Sequence, residues 1–157
     1  MRFLRILVII LAAALAAPAL AADGDTMNMQ ILREKIKADK KLVVAKNMQL
    51  SEAEARAFWP IYDAYQKDLD QINARLDQAI GAYAAAYKKG PLPDDVAMRL
   101  VDEALAIEEA ETQLKRSYVP KLNAVLPGAK TARYLQIENK IRAVVRLELA
   151  DAIPLVE

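Results

Sequence analysis

Residues 51–88, SEAEARAFWPIYDAYQKDLDQINARLDQAIGAYAAAYK, carry the clearest periodic pattern in the chain. Within this stretch Phe58, Tyr62, Tyr65, Leu69, Ile72, Leu76, Ala79 and Tyr83 recur at alternating intervals of four and three. That spacing keeps an apolar seam on one side of a long helix. Ser51 is placed as the N-cap, and Glu54, three residues on, completes a capping box. A helix over the whole stretch would be roughly 57 Å long at 1.5 Å per residue. Such a rod cannot be buried in a small ball. Its seam, centred on Leu69, Ile72 and Leu76, needs either a hairpin partner or a second subunit.

Three further amphipathic segments flank this one. From about Met27 to Gln49, Leu32, Ile36, Val43 and Leu50 recur at helical intervals. Arg33, Lys35, Lys37, Lys40, Lys41 and Lys46, against only Glu34 and Asp39, make this first helix a basic rod. After the break Gly90-Pro91-Leu92-Pro93, Asp94 or Asp95 is expected to cap a third helix. Its apolar stripe is Val96, Leu100, Ala104, Ile107, Leu114 and Tyr118, and its acidic residues outnumber its basic ones. Glu108, Glu109 and Glu111 fall in the gaps of that stripe and are expected on a solvated face. Pro127-Gly128 introduces a fourth helix, about Ala129 to Ala152, with Tyr134, Ile137, Ile141, Val144, Val145 and Leu149, and Pro154 closes it. Pro60 and Pro120 each deprive a carbonyl four residues earlier of its donor, so each should kink its helix or divide it in two. The expected fold is all-α: four amphipathic helices, a long antiparallel hairpin with proline kinks, and a curved dimer. Opposite charge on the first and third helices favours their packing side by side or across that dimer.

The N-terminus sets the expected compartment. Arg2 and Arg5, the apolar run Ile6–Ala17 and the exit Ala19-Leu20-Ala21 have the three parts of a secretory signal peptide. Cleavage after Ala21 leaves 22–157 as one helical domain in the periplasm. The alternative is an uncleaved anchor, for which the uncharged run is short. No later segment is apolar enough to span a membrane. Without Arg2 and Arg5 the basic residues fall from 22 to 20, one short of the 21 acidic ones, a balance that does not suggest nucleic acid.

The chain has no cysteine and no histidine. Disulfides, lipid attachment at a processed cysteine, a typical zinc site and a Ser-His-Asp arrangement are therefore excluded. No phosphate-binding Gly-rich loop is present. No catalytic residue, metal ligand or cofactor is assigned, and the chain reads as a binding protein and not an enzyme. Trp59 is the leading contact residue. Helical geometry turns it about 100° from Phe58, off the filled seam. Met27, Met29 and Met48, with Lys37 and Lys41, form a second candidate surface, apolar and basic, for clients or partners.

Leu50-Ser51-Glu52-Ala53-Glu54 resembles the Leu-Thr-x-x-Gln motif of the Spy/CpxP family of periplasmic stress proteins, with Ser for Thr and Glu for Gln. Leu126-Pro127-Gly128-Ala129-Lys130 stands where a second copy would be and keeps only the leucine. The layout from Met27 to Leu149 is similar to the family's four helices. Phe58-Trp59-Pro60-Ile61-Tyr62 and Gln136-Ile137-Glu138-Asn139-Lys140 are more similar to a group of uncharacterised exported bacterial proteins. The family resemblance implies a curved helical homodimer that shields unfolded envelope proteins without ATP, or that reports envelope stress to a partner. The alternatives are a regulatory subunit for one envelope partner and a structural helical dimer. The zinc binding seen in some relatives needs side chains that this chain lacks.

Overall fold

The computed structural model describes residues 38–156. Met27, Met29, Lys37 and the leader 1–21 lie outside them. Among the described residues there are four helices and no strand: α1 over 38–48, α2 Glu52–Tyr87, α3 Asp94–Asn123 and α4 Gly128–Ala152. The chain divides into two compact units. One holds residues 50–131, that is α2, α3 and the first turn of α4. The other combines α1 with α4 from Ala132 to Pro154.

In the first unit α2 and α3 lie along each other in opposite directions. The α2 seam is buried at Phe58, Tyr62, Tyr65, Leu69 and Ile72, against Ile107, Glu111, Tyr118 and Leu122 of α3. Leu69 and Ile72 are thus covered within one chain, whereas Leu76 is only half-buried. Burial fades toward the turn at 88–93, where Ala79 and Tyr83 are partly open. Gly90 there takes φ +115, a left-handed conformation that L side chains rarely adopt. Arg75 forks onto Glu103, with Nε and Nη2 each donating at 3.1 Å. Both side chains are well exposed, so this bridge sets register more than it stabilises.

Both helices run unbroken through their prolines. Pro60 and Pro120 are exposed, as are Arg56 and Arg116, whose carbonyls lose a donor. Water can reach those carbonyls, so neither helix has to end.

Three expectations for α3 and one for α1 need correction. Neither Asp94 nor Asp95 caps α3. Pro93 occupies the N-cap position without a side-chain bond, and both aspartates lie inside the first turn. There they still meet the positive end of the helix dipole, and Asp95 also accepts from Arg99 at 2.7 Å. Ala104 is exposed, and Glu111 replaces it on the inward face, 3% exposed, instead of joining Glu108 and Glu109 in solvent. Position 111 lies four residues from Ile107 and seven from Tyr118, so the helical period carries it inward whatever its chemistry. On α1 the fully buried apolar residues are Val44 and Met48, one position round from Val43.

The second unit is built on that face of α1 and on Tyr134 and Glu138 of α4. Lys40 Nζ donates to Glu138 Oε2 at 2.8 Å, with the two side chains 14% and 4% exposed. Gln49, at φ +49, ends α1 in the left-handed conformation common just after a helix.

Candidate functional site

Ser51 caps α2 as its sequence implies. Its hydroxyl accepts from the Glu54 N–H at 3.3 Å, and Glu54 Oε2 accepts from the Ser51 N–H at 2.7 Å. Tertiary structure adds a third partner. Lys130, in the first turn of α4, donates to the same Glu54 oxygen at 2.6 Å. The last positions of the two motif-like segments therefore touch. Leu126 is buried, Leu50 half-buried, and the Pro127 carbonyl accepts the first helical bonds of α4. The Lys130 bond, then the Ser51 N–H, hold the Glu54 carboxyl below its ordinary value of 4.5.

A depressed carboxyl contributes stability above its unfolded value and loses it as pH falls through the folded one. Ser51→Ala should cost about 0.5–2 kcal/mol. Glu54→Gln should lower the melting temperature at pH 7 and have no effect at a pH where both forms are neutral. A Glu54→Gln deficit that persists unchanged into acid would show that the charge of Glu54 is not what matters.

Trp59 follows this cap by two turns and is half-buried. Its ring meets Phe58 edge-on at 5.1 Å between centroids and Tyr62 at 5.2 Å. Phe58 and Tyr62 themselves are buried. Deeper along the seam Tyr65 packs edge-on to Tyr118 at 5.2 Å, and Tyr118 Oη donates to Asp68 at 2.6 Å. One aromatic row thus runs from a partly open indole into the core.

The outer face of α3 carries a feature that the sequence reading passed over. Met98, Val101 and Leu105 are 58%, 48% and 60% exposed. Their spacing of three and four puts them on one helix face, turned away from Ile107 and Glu111. Asp94, Asp95, Asp102, Glu108 and Glu109, all exposed, surround them. The signal was available as a second apolar row in the α3 sequence.

Met48 does not belong to a contact surface, because it is fully buried beside Val44. Methionine at position 48 faces inward one turn after Val44, where its flexible side chain fills the core. Lys41 is half-buried. Among the described residues no cluster of three or more acidic side chains is placed to hold a metal ion. No helix among them is long and apolar enough to cross a membrane. Comparison of the chain with protein-family models, with curated proteins and with solved structures finds no match. The described residues thus form an all-helical protein with an exposed apolar row on α3 and a half-buried indole on α2.

Proposed function

We propose that this is a periplasmic, ATP-independent chaperone-like or stress-binding protein that holds exposed segments of unfolded envelope proteins. The observation that carries this reading is the apolar row Met98, Val101 and Leu105 within its acidic rim. Apolar side chains left in water at helical spacing offer burial to a client, about 25 cal/mol for each Å² removed from water. The surrounding carboxylates select segments that carry lysine or arginine beside their apolar residues and repel acidic ones. Half-open Trp59 supplies a second, aromatic contact of the kind enriched at binding surfaces. The resemblance at Leu50–Glu54, and its meeting with Lys130, lend support from a different direction. The contact surface moves in this reading from the basic first helix to acidic α3. A homodimer, if formed, must use surface other than Leu69 and Ile72, and sedimentation at micromolar concentration tests for it.

The purified protein should suppress aggregation of several unrelated unfolded clients without nucleotide. Replacing Met98, Val101 and Leu105 together by serine should remove most of that protection while leaving helicity intact, because all three side chains are exposed. Trp59 emission should indicate partial exposure and shift to shorter wavelength when client is added. Trp59→Ala should weaken protection with helicity nearly unchanged. Protection of no client overturns the chaperone reading and leaves a subunit dedicated to one envelope partner. Protection untouched by the triple serine change removes α3 as the contact surface.

A further inference from the structure

We propose that the second unit carries a binding site for a phosphate group, in the cleft between the end of α1 and the 133–140 stretch of α4. The cleft has a volume of about 300 Å³ and is lined by Lys46, Arg133 and Lys140 with the amides of Asn47, Gln49 and Gln136. No carboxylate lines it.

The charges are what call for an explanation. Several cations elsewhere in the described residues have counter-charges, among them Lys40 with Glu138, Arg75 with Glu103, Arg99 with Asp95 and Lys130 with Glu54. Others, such as Lys88 and Lys89, stand singly in solvent. What sets this cleft apart is that three cations line it and no carboxylate does. Lys46, Arg133 and Lys140 form no ion pair there. The negative end of the α1 dipole accounts for Lys46 alone. Arg133 and Lys140 stand two turns apart on α4 with Ile137 between them, where a glutamate would have paired with either. The acidic residue nearest in sequence, Glu138, lies on the inward face and is already bonded to Lys40. Three like charges around one cleft repel each other until an anion enters, and that relief is itself binding energy.

The donor set fits a phosphate better than a simple carboxylate. An arginine fork matches two oxygens of a phosphate, lysines add point charge from the sides, and Gln136 adds a neutral amide donor. Asn47 is held in place by its own bond, Nδ2 donating to the Val43 carbonyl at 2.8 Å. A cleft of this volume is at the small end for ligand sites. It suits inorganic phosphate, a diphosphate, or the headgroup of an anionic phospholipid. This site is independent of the α3 surface and of the chaperone reading.

The test uses the purified protein, with pyrophosphate and inorganic phosphate titrated by calorimetry at constant ionic strength. One saturable site is expected. The double change Arg133→Gln with Lys140→Gln should weaken it at least tenfold, the loss expected for one or more charge-assisted hydrogen bonds. Circular dichroism should show unchanged helicity, since both side chains are exposed. Lys88→Gln with Lys89→Gln, which removes two exposed charges from the turn after α2, should leave affinity as it was. In a parallel arm, phosphatidylglycerol vesicles are compared with phosphatidylcholine vesicles by co-sedimentation. Capture by the former alone, abolished by the Arg133/Lys140 change, identifies a lipid headgroup. Saturable binding of soluble phosphate without vesicle capture identifies a free phosphate. No saturable binding at millimolar pyrophosphate and no vesicle capture overturns the proposal. So does equal weakening by the Lys88/Lys89 change, which would reduce the effect to general charge.

Discussion

Lys40→Met should destabilise the protein by about 3–5 kcal/mol, because it leaves the Glu138 carboxylate inside the second unit without its cation. Glu138 is 4% exposed and its Lys40 partner 14%, so water cannot replace the ammonium without opening the packing of α1 on α4. The pair itself contributes much less than this loss suggests. Removing two charges from water offsets most of their attraction, and well-packed apolar replacements of similar volume are often neutral or stabilising. Lys40→Met combined with Glu138→Leu should therefore recover most or all of the wild-type stability. Urea denaturation at pH 7 on the two single variants and the double variant closes the cycle. A single variant within 1 kcal/mol of wild type would mean that Glu138 is adequately satisfied by its other contacts.

Tyr65→Ala is the comparable substitution in the first unit. Its ring is almost completely buried between α2 and α3, and truncating a buried aromatic to alanine costs about 3–5 kcal/mol. The edge-on contact with Tyr118 adds to this, by about 0.5–1.5 kcal/mol for such pairs. Tyr118→Phe tests the polar end of the same contact. It keeps the ring but loses the bond to Asp68, and hydrogen bonds to charged groups contribute about 1.5–3 kcal/mol. Burial, then the Asp68 bond, push the Tyr118 hydroxyl from 10.0 up to about 12. Lys121 Nζ, 3.9 Å from the ring centroid, leaves that direction unchanged. A raised phenol contributes stability that is complete below the unfolded value and is lost as pH rises through the folded one. Wild-type stability should thus fall between pH 10 and 12, and Tyr118→Phe should flatten that part of the profile. A variant that keeps the full alkaline slope would assign the loss to other groups.

Most of the first unit was legible in the sequence. Phe58 to Ile72 and the Ser51–Glu54 cap depend on intervals of three and four along one chain, and helical geometry converts those intervals directly into faces. The same logic failed by one position at Val43, where Val43 and Val44 are adjacent and equally apolar. It failed at Glu111 because the residue's chemistry was given more weight than its position.

Local sequence by itself determined that the chain is helical, the Ser51 start of α2, the turn at 90–93 and the α2 seam. Each of these is decided within a few residues by capping, proline or apolar period. The tertiary structure alone decided the pairing of Lys40 with Glu138, the meeting of Tyr118 with Asp68, the addition of Lys130 to the Ser51–Glu54 cap and the convergence of Lys46, Arg133 and Lys140. Lys40 and Glu138 are 98 residues apart. Their charges become partners only when the apolar face of α1 chooses its place against α4. Burial sets that choice with little regard for polar side chains, and the polar side chains then bond to whatever the packing has brought within reach.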